Sequence, residues 1–363
     1  MVRSIHLGGQ RTRKDLADRL ELNRSTIKAV VDELVGDGLA IENPDSSGGN
    51  AGRPSLVVAP VPSSVWVVAV DAAIDWLTVA AVGLGGSVLA EVRLEPPAGE
   101  FDPQVLVRLL GDAVTSIGAR FDRPPSAVGV AVPGLVRSSD NLVRSAPNLG
   151  WVDVPLGDML AAETGSDVFV GNESNLGALA EHVRGAARDV DDVVYLMADV
   201  GVGGGVISSG VTVVGAGGYA VELGHMGING RRRCRCGSLG CWETEVGRFA
   251  MQRAVGLPEH ATIDELCDRL QSCTPGDPVL DSYAEWLALG LRNVVAMFDP
   301  RVVVFGGLFA DLLPAVQDRL VASLAESLVV RQFGVQLRPA ALGSRASLVG
   351  AAEVAFATVL DRV

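Results

Sequence analysis

The densest chemistry in this sequence lies between residues 225 and 241, where His225 is followed by Cys234-Arg235-Cys236-Gly237-Ser238-Leu239-Gly240-Cys241. One imidazole and three thiols are the donors that tetrahedral zinc prefers, and four protein ligands leave no open coordination position. The spacing therefore predicts a structural Zn2+ held by His225, Cys234, Cys236 and Cys241, with Gly237 and Gly240 letting the backbone fold around it. Two carboxylates flank the cluster, Glu222 before it and Glu243 after it. Held near each other in a rigid loop, they suit a polyol, whose hydroxyls are hydrogen-bond donors. Cys267 and Cys273 have no such company and read as core or surface residues. Five cysteines cannot pair completely, and a metal site in a reducing compartment fits them better than a disulfide framework.

A loop of this kind needs a scaffold, and an α/β one is legible around it. Val65–Val70, Thr78–Val82 and Ser87–Arg93 read as successive strands of a meander, followed by a helix over Asp102–Ala119. Val128–Val132, Val168–Gly171, Val193–Met197 and Arg301–Gly307 are further apolar strands. Helical patterns cover Glu173–Arg184, Pro278–Phe298, Leu312–Leu328 and Ala346–Leu360. Strands interleaved with helices predict an α/β architecture of two lobes, with a glycine-rich crossover near 199–218.

The first sixty residues differ in character. Arg13–Leu20 and Ser25–Asp37 read as two short helices, capped by Thr12 and Asn23, the second stopped by Gly38. Leu39–Glu42 and Leu56–Ala59 are strand-like, with a polar loop through Gly52-Arg53-Pro54 between them. This is the outline of a winged helix-turn-helix over residues 1–60, with 61–363 as a second domain. The 363 residues carry a net charge of −13, yet residues 1–60 balance eight basic against eight acidic groups. The acidic body would repel a polyphosphate, so any contact with nucleic acid must come from this neutral segment. With 48% hydrophobic residues, no apolar run long enough to span a membrane and no signal-like N-terminus, a soluble cytoplasmic protein is expected.

Taken together, Val132-Pro133-Gly134, Ala146-Pro147-Asn148-Leu149-Gly150-Trp151, Gly171-Asn172-Glu173-Ser174-Asn175, Glu222-Leu223-Gly224-His225-Met226 and the cysteine loop through Trp242-Glu243 resemble the ROK family of repressors, open reading frames and kinases. The winged segment ending in Gly52-Arg53-Pro54 is similar to the family's repressor branch. The resemblance implies an actin-like, hexokinase-like two-lobed fold with a sugar bound between the lobes. It also implies a sugar-binding set of Gly134, Asn148, Asn172, Glu173, Glu222, His225 and Glu243. His225 would then serve zinc through one ring nitrogen and a sugar hydroxyl through the other, since metallation of one nitrogen leaves the other N–H as a donor.

The catalytic side departs from the family's kinase branch. Glu173 stands where the kinases have an aspartate base, one methylene shorter. Asp71-Ala72-Ala73-Ile74-Asp75 replaces a glycine-rich phosphate turn, and Asp199-Val200 opens the second glycine-rich stretch. The resemblance thus points to a regulator, not an enzyme: a sugar-responsive DNA-binding repressor acting as a homodimer or homotetramer. Its second helix enters the major groove through Arg24, Ser25, Thr26 and Lys28, and Arg53 reaches the minor groove. Arg11, Arg13 and Arg19 either contact phosphates or solvate the first helix. The alternative is an ATP-dependent sugar kinase with a regulatory head.

Overall fold

Helix caps set the outline of the N-terminal segment in the structure, a computed structural model that describes residues 1–44, 56–73, 76–95 and 102–362. Thr12 accepts the N–H of Asp15 while the Asp15 carboxylate accepts the Thr12 N–H, which starts helix Arg13–Leu20. Asn23 accepts the Thr26 N–H at 2.9 Å and starts helix Arg24–Gly36. That helix ends at Gly38, whose φ of +72° lets its N–H reach Val35 O while the Leu39 N–H reaches Leu34 O. Ile27, Val31 and Leu34 form the buried face of this helix, which packs on the helix before it, where Leu16 and Ala17 are buried. Strands Ala40–Pro44 and Leu56–Pro60 then pair antiparallel, with Arg11–Thr12 as a third strand on Leu56–Pro60. These elements form a winged helix-turn-helix. The loop carrying Arg53 lies outside the described residues. A further helix, Val2–Gly8, precedes the motif and has no counterpart in the sequence-based expectations.

The described residues fall into two units, one of Met1–Asn172 with Leu348–Val363, the other of Glu173–Ser347. In the first, a five-stranded sheet runs in the order 168–172, 128–132, 66–72, 77–83, 88–94. In the second, the order is 211–212, 202–208, 193–198, 302–307, 336–339. Each sheet begins with an antiparallel three-strand meander and adds its last two strands in parallel on the other side of the first. The same connectivity, used twice, is the actin- and hexokinase-like arrangement. Strand Trp66–Ala72 lies at the centre of its sheet with every residue buried, which is why it reads as an unbroken apolar run.

Both passages between units, after Asn172 and after Ser347, occur next to a helix, Glu173–Val183 or Ala346–Val359. The expected crossover near 199–218 is therefore corrected. Gly203, Gly204 and Gly205 belong to strand Val202–Ser208, in the interior of the second unit. A Cβ on Gly203 would fall 1.9 Å from Ser174 Oγ, and one on Gly205 would fall 2.5 Å from the Ala178 Cβ. The glycines thus let helix Glu173–Val183 lie on this strand, a packing reason that the sequence pattern alone does not reveal. Among the described residues, no helix is long and apolar enough to cross a membrane.

Candidate metal centre and sugar-binding residues

The segment between the third and fourth strands of the second sheet folds into a small loop built on two antiparallel bridges, Gly227 with Cys241 and Arg233 with Leu239. Its turn is closed by Cys234 N–H to Ser238 O at 2.9 Å and Gly237 N–H to Cys234 O at 3.0 Å. Gly237 takes φ +93°, a left-handed conformation that a side chain would strain. Trp242, fully buried, anchors the loop to the core of the unit through Nε1–H to Trp286 O at 2.9 Å. Its indole lies so close to Gly290 that a Cβ there would fall 2.1 Å from the ring.

These contacts bring the ligand atoms of His225, Cys234, Cys236 and Cys241 within 4.8 Å of one another. Cys236 Sγ lies 3.6 Å from Cys241 Sγ, and His225 Nδ1 lies 3.7 Å from Cys234 Sγ. Ligand bonds of about 2.0–2.3 Å at tetrahedral angles put neighbouring donors roughly 3.5–3.8 Å apart, so the donor set fits a zinc-sized ion. The Cys236 N–H also donates to Cys234 Sγ at 3.4 Å. Backbone donation from Ser238 lowers the Cys236 thiol to about 7, whereas burial raises those of Cys234 and Cys241.

The flanking carboxylates meet this cluster. Glu243 begins a short helix, Glu243–Val246, and its Oε1 accepts the Cys234 thiol at 2.7 Å and lies 3.7 Å from His225 Nδ1. Its Oε2 lies against Gly201, where a Cβ would come within 2.8 Å. Gly201 is absent from the residues that the sequence points to for this site, although its glycine-rich setting was the available signal. Glu222 is exposed as a residue, yet the protein around its carboxyl raises its pKa by desolvation. His225 opposes that rise and Glu243 adds to it. Glu173 stands at the first position of its helix in the same unit.

In the first unit, Asn172 ends a strand and donates from Nδ2 to Gly134 O at 2.9 Å. Gly134 holds φ +104°, and a Cβ there would fall 2.3 Å from Ser145 O, so this turn requires glycine. Asn148 is exposed on the short turn Pro147–Leu149, which the buried Leu149 pins down. Asp71 is the last residue but one of the central strand, where burial lifts its carboxyl to about 6. Ala72 is buried in the core of this unit and Ala73 is partly exposed. The Ala72 Cβ is therefore spent on packing rather than on obstructing a phosphate, and Ile74 and Asp75 lie outside the described residues.

On helix Arg24–Gly36, Arg24, Ser25 and Lys28 are exposed and Thr26 is partly buried. The hydroxyls of Ser25 and Thr26 donate to Asn23 Oδ1 at 2.6 and 3.0 Å, so both take part in the cap. Lys28 pairs with Asp32 at 2.8 Å. Arg13 grips Glu42 through two bonds of 2.6 and 2.5 Å and reaches Asp32 at 3.0 Å. It ties helix Arg13–Leu20 to strand Ala40–Pro44, which accounts for this arginine without a phosphate.

Residues 67–357 match the model of the ROK family. The chain is 27% identical to a xylose repressor of Caldicellulosiruptor bescii, over 96% of this chain and 92% of that protein. It is 32% identical to a glucokinase of Streptomyces coelicolor, over 74% of this chain and 91% of the enzyme. A crystal structure of a ROK family transcriptional regulator, a homolog of the E. coli MLC protein, superposes with a TM-score of 0.76 at 26% identity. That alignment covers 94% of this chain and 90% of the other.

Proposed function

The chain belongs to the ROK family, and from that premise we propose that it is a sugar-responsive transcriptional repressor that binds DNA through its N-terminal winged head. The observation that carries this reading is the head itself. The family match begins at residue 67, and the helices and strands of a winged helix-turn-helix precede it among the described residues. Similarity to the xylose repressor extends over nearly the whole chain, whereas similarity to the glucokinase leaves about a quarter of it unmatched.

Residues 1–60 form the DNA-binding domain in this reading and residues 61–363 the sugar-binding domain. Arg24 leads helix Arg24–Gly36 into the major groove, with Ser25, Thr26 and Lys28 behind it and Arg53 reaching the minor groove. With no net charge on the head, affinity comes from the local placement of its cations and from doubling the module, so a homodimer or homotetramer places two heads on a pseudo-palindrome.

In this reading the sugar is held by Gly134, Asn148, Asn172, Glu173, Glu222, His225 and Glu243. Glu222 and Glu243 accept hydrogen bonds from sugar hydroxyls. His225, Cys234, Cys236 and Cys241 hold a structural Zn2+, which would supply a rigid tetrahedral cross-link. With Nδ1 of His225 turned to the cluster, Nε2–H remains to donate to a hydroxyl. Moving the head between bound and free states takes about 3–5 kcal/mol of differential sugar affinity.

The chain has lost efficient phosphoryl transfer in this reading. Glu173 replaces the shorter base, Ala73 lies in a turn without the glycines that bare backbone to a phosphate, and Asp199 and Val200 stand where the kinases usually have a glycine and a hydroxyl residue. A coupled assay with ATP and D-xylose, D-glucose and N-acetyl-D-glucosamine tests this, beside thermal shifts with the same sugars. A sugar-induced shift without turnover supports the repressor. Robust turnover supports the kinase with a regulatory head, the reading to which the glucokinase similarity lends weight.

A further inference from the structure

His6 lies fully buried in helix Val2–Gly8, on the N-terminal side of the helix-turn-helix. Its Nδ1 accepts the backbone N–H of Gly85 at 3.0 Å, which leaves the ring proton on Nε2. That nitrogen lies 3.2 Å from Glu353 Oε2 and donates to it. The ring packs on Phe356 with centroids 4.3 Å apart. Arg3, on the same helix, adds bonds to Asp361 at 2.6 Å and to Ala357 O at 3.3 Å.

All of these partners except Gly85 lie on or just beyond helix Ala346–Val359. This helix starts in the unit that carries the metal loop and continues from Leu348 in the unit that carries the head. It rests directly on the first sheet, where a Cβ on Gly129 would fall 1.8 Å from Ala351 O. One continuous element therefore begins beside one unit boundary and ends in the grip of the head's first helix.

The chemistry of the grip is unusual for a packing contact. Glu353 is 6% exposed and His6 is not exposed at all. Apolar residues of similar volume would fill this space with no desolvation penalty, whereas a buried polar pair demands one arrangement of its partners. His6 meets its two hydrogen bonds only when the Gly83–Gly86 turn, helix Ala346–Val359 and helix Val2–Gly8 are all in register.

We propose that His6 and Glu353 are positioning residues that pass sugar binding on to the DNA-binding head, with helix Ala346–Val359 as the element that carries the displacement. The assignment rests on the repressor reading and adds the joint through which it works. Glu353 leads His6, and His6 sets the position of helix Val2–Gly8.

The test uses the full-length, zinc-loaded chain and a DNA duplex that the unmodified chain selects from a random-sequence pool. The readout is the ratio of DNA dissociation constants with and without saturating D-xylose, D-glucose or N-acetyl-D-glucosamine. In the unmodified chain this ratio is expected to depart from one by about fivefold or more. Glu353→Gln keeps an acceptor for Nε2–H and is expected to keep the ratio. Glu353→Met and His6→Phe fill the volume without the hydrogen bonds and are expected to bring the ratio close to one. Their sugar affinity and sugar-free DNA affinity should each stay within about twofold, a separation that a purely structural role would not produce.

Folded Glu353→Met and His6→Phe variants that retain the full ratio overturn the assignment and leave the repressor reading standing. An unmodified chain whose DNA affinity no sugar changes overturns both. Should the two variants fail to fold, amide exchange in the unmodified chain decides instead. Added sugar, without DNA, is expected to change exchange at Gly85 and along Val2–Gly8, and unchanged exchange there overturns the assignment.

Discussion

Cys234 donates its thiol hydrogen bond to Glu243 across 2.7 Å, so a residue of the metal cluster and a residue of the proposed sugar grip touch directly. The loop that gathers the three cysteines therefore also fixes where one of the carboxylates proposed to face the sugar stands. Loss of the metal should be felt first by the sugar.

Replacing Cys236 by Ser removes one ligand from the rim of the cluster without disturbing the buried Trp242 anchor. The expected result is loss of bound zinc and a sugar affinity weakened by about tenfold or more, with sugar-free DNA binding nearly unchanged. Metal analysis, calorimetry with sugar and a DNA-binding isotherm check it. Equal loss of sugar and DNA binding would assign the metal a global folding role instead.

Gly201 offers a gentler probe of the same carboxylate. In Gly201→Ala the new Cβ would stand 2.8 Å from Glu243 Oε2, and the carboxylate must move. The Gly201 backbone is not in the left-handed region, so the fold should tolerate alanine. Sugar affinity is expected to fall by about 1 kcal/mol, near fivefold, at an unchanged melting temperature. Calorimetry beside a melting curve gives both numbers.

Asp71 predicts a pH dependence whose sign follows from its burial. Its carboxyl is raised from 3.8 to about 6 in the folded chain. The proton is held more tightly folded than unfolded, so this group's stabilisation is complete below the unfolded value and is lost as pH rises through about 6. A rise of that size corresponds to about 3 kcal/mol. Asp71→Asn, neutral throughout, should therefore gain stability over the unmodified chain between pH 4 and pH 7. Urea unfolding across that range reads the difference, and a constant difference would contradict the assignment.

The head makes a prediction that separates two cations on one helix. Lys28 already holds Asp32, whereas Arg24 is exposed at the first turn. Arg24→Ala is expected to weaken specific DNA binding by about 1–3 kcal/mol, and Lys28→Ala by clearly less. Sugar binding should not change in either variant. Fluorescence anisotropy on the selected duplex distinguishes them.

What was legible in the sequence was what declares itself locally. The four donors that could hold a metal lie in one short segment, the caps at Thr12 and Asn23 are residue-specific, and helices such as Asp281–Phe298 carry long apolar periods. Two kinds of feature stayed hidden. Strand Val202–Ser208 contains Gly203, Gly204 and Gly205, which argue against a strand until helix Glu173–Val183 is seen lying on them. Helix Val2–Gly8 is too short to show a period, and the partner of His6 lies at the other end of the chain. The unit boundaries were equally silent, because the chain passes from Asn172 straight into a helix with no breaker residue. Arg53, Ile74 and Asp75 remain expectations from sequence.

The most direct measurement of the central claim is the DNA-binding isotherm of the full-length, zinc-loaded chain, recorded with and without each of D-xylose, D-glucose and N-acetyl-D-glucosamine. Specific binding is expected, with a dissociation constant that changes by about fivefold or more with at least one of these sugars. An isotherm that shows no specific DNA binding, or one that no sugar displaces, would contradict it.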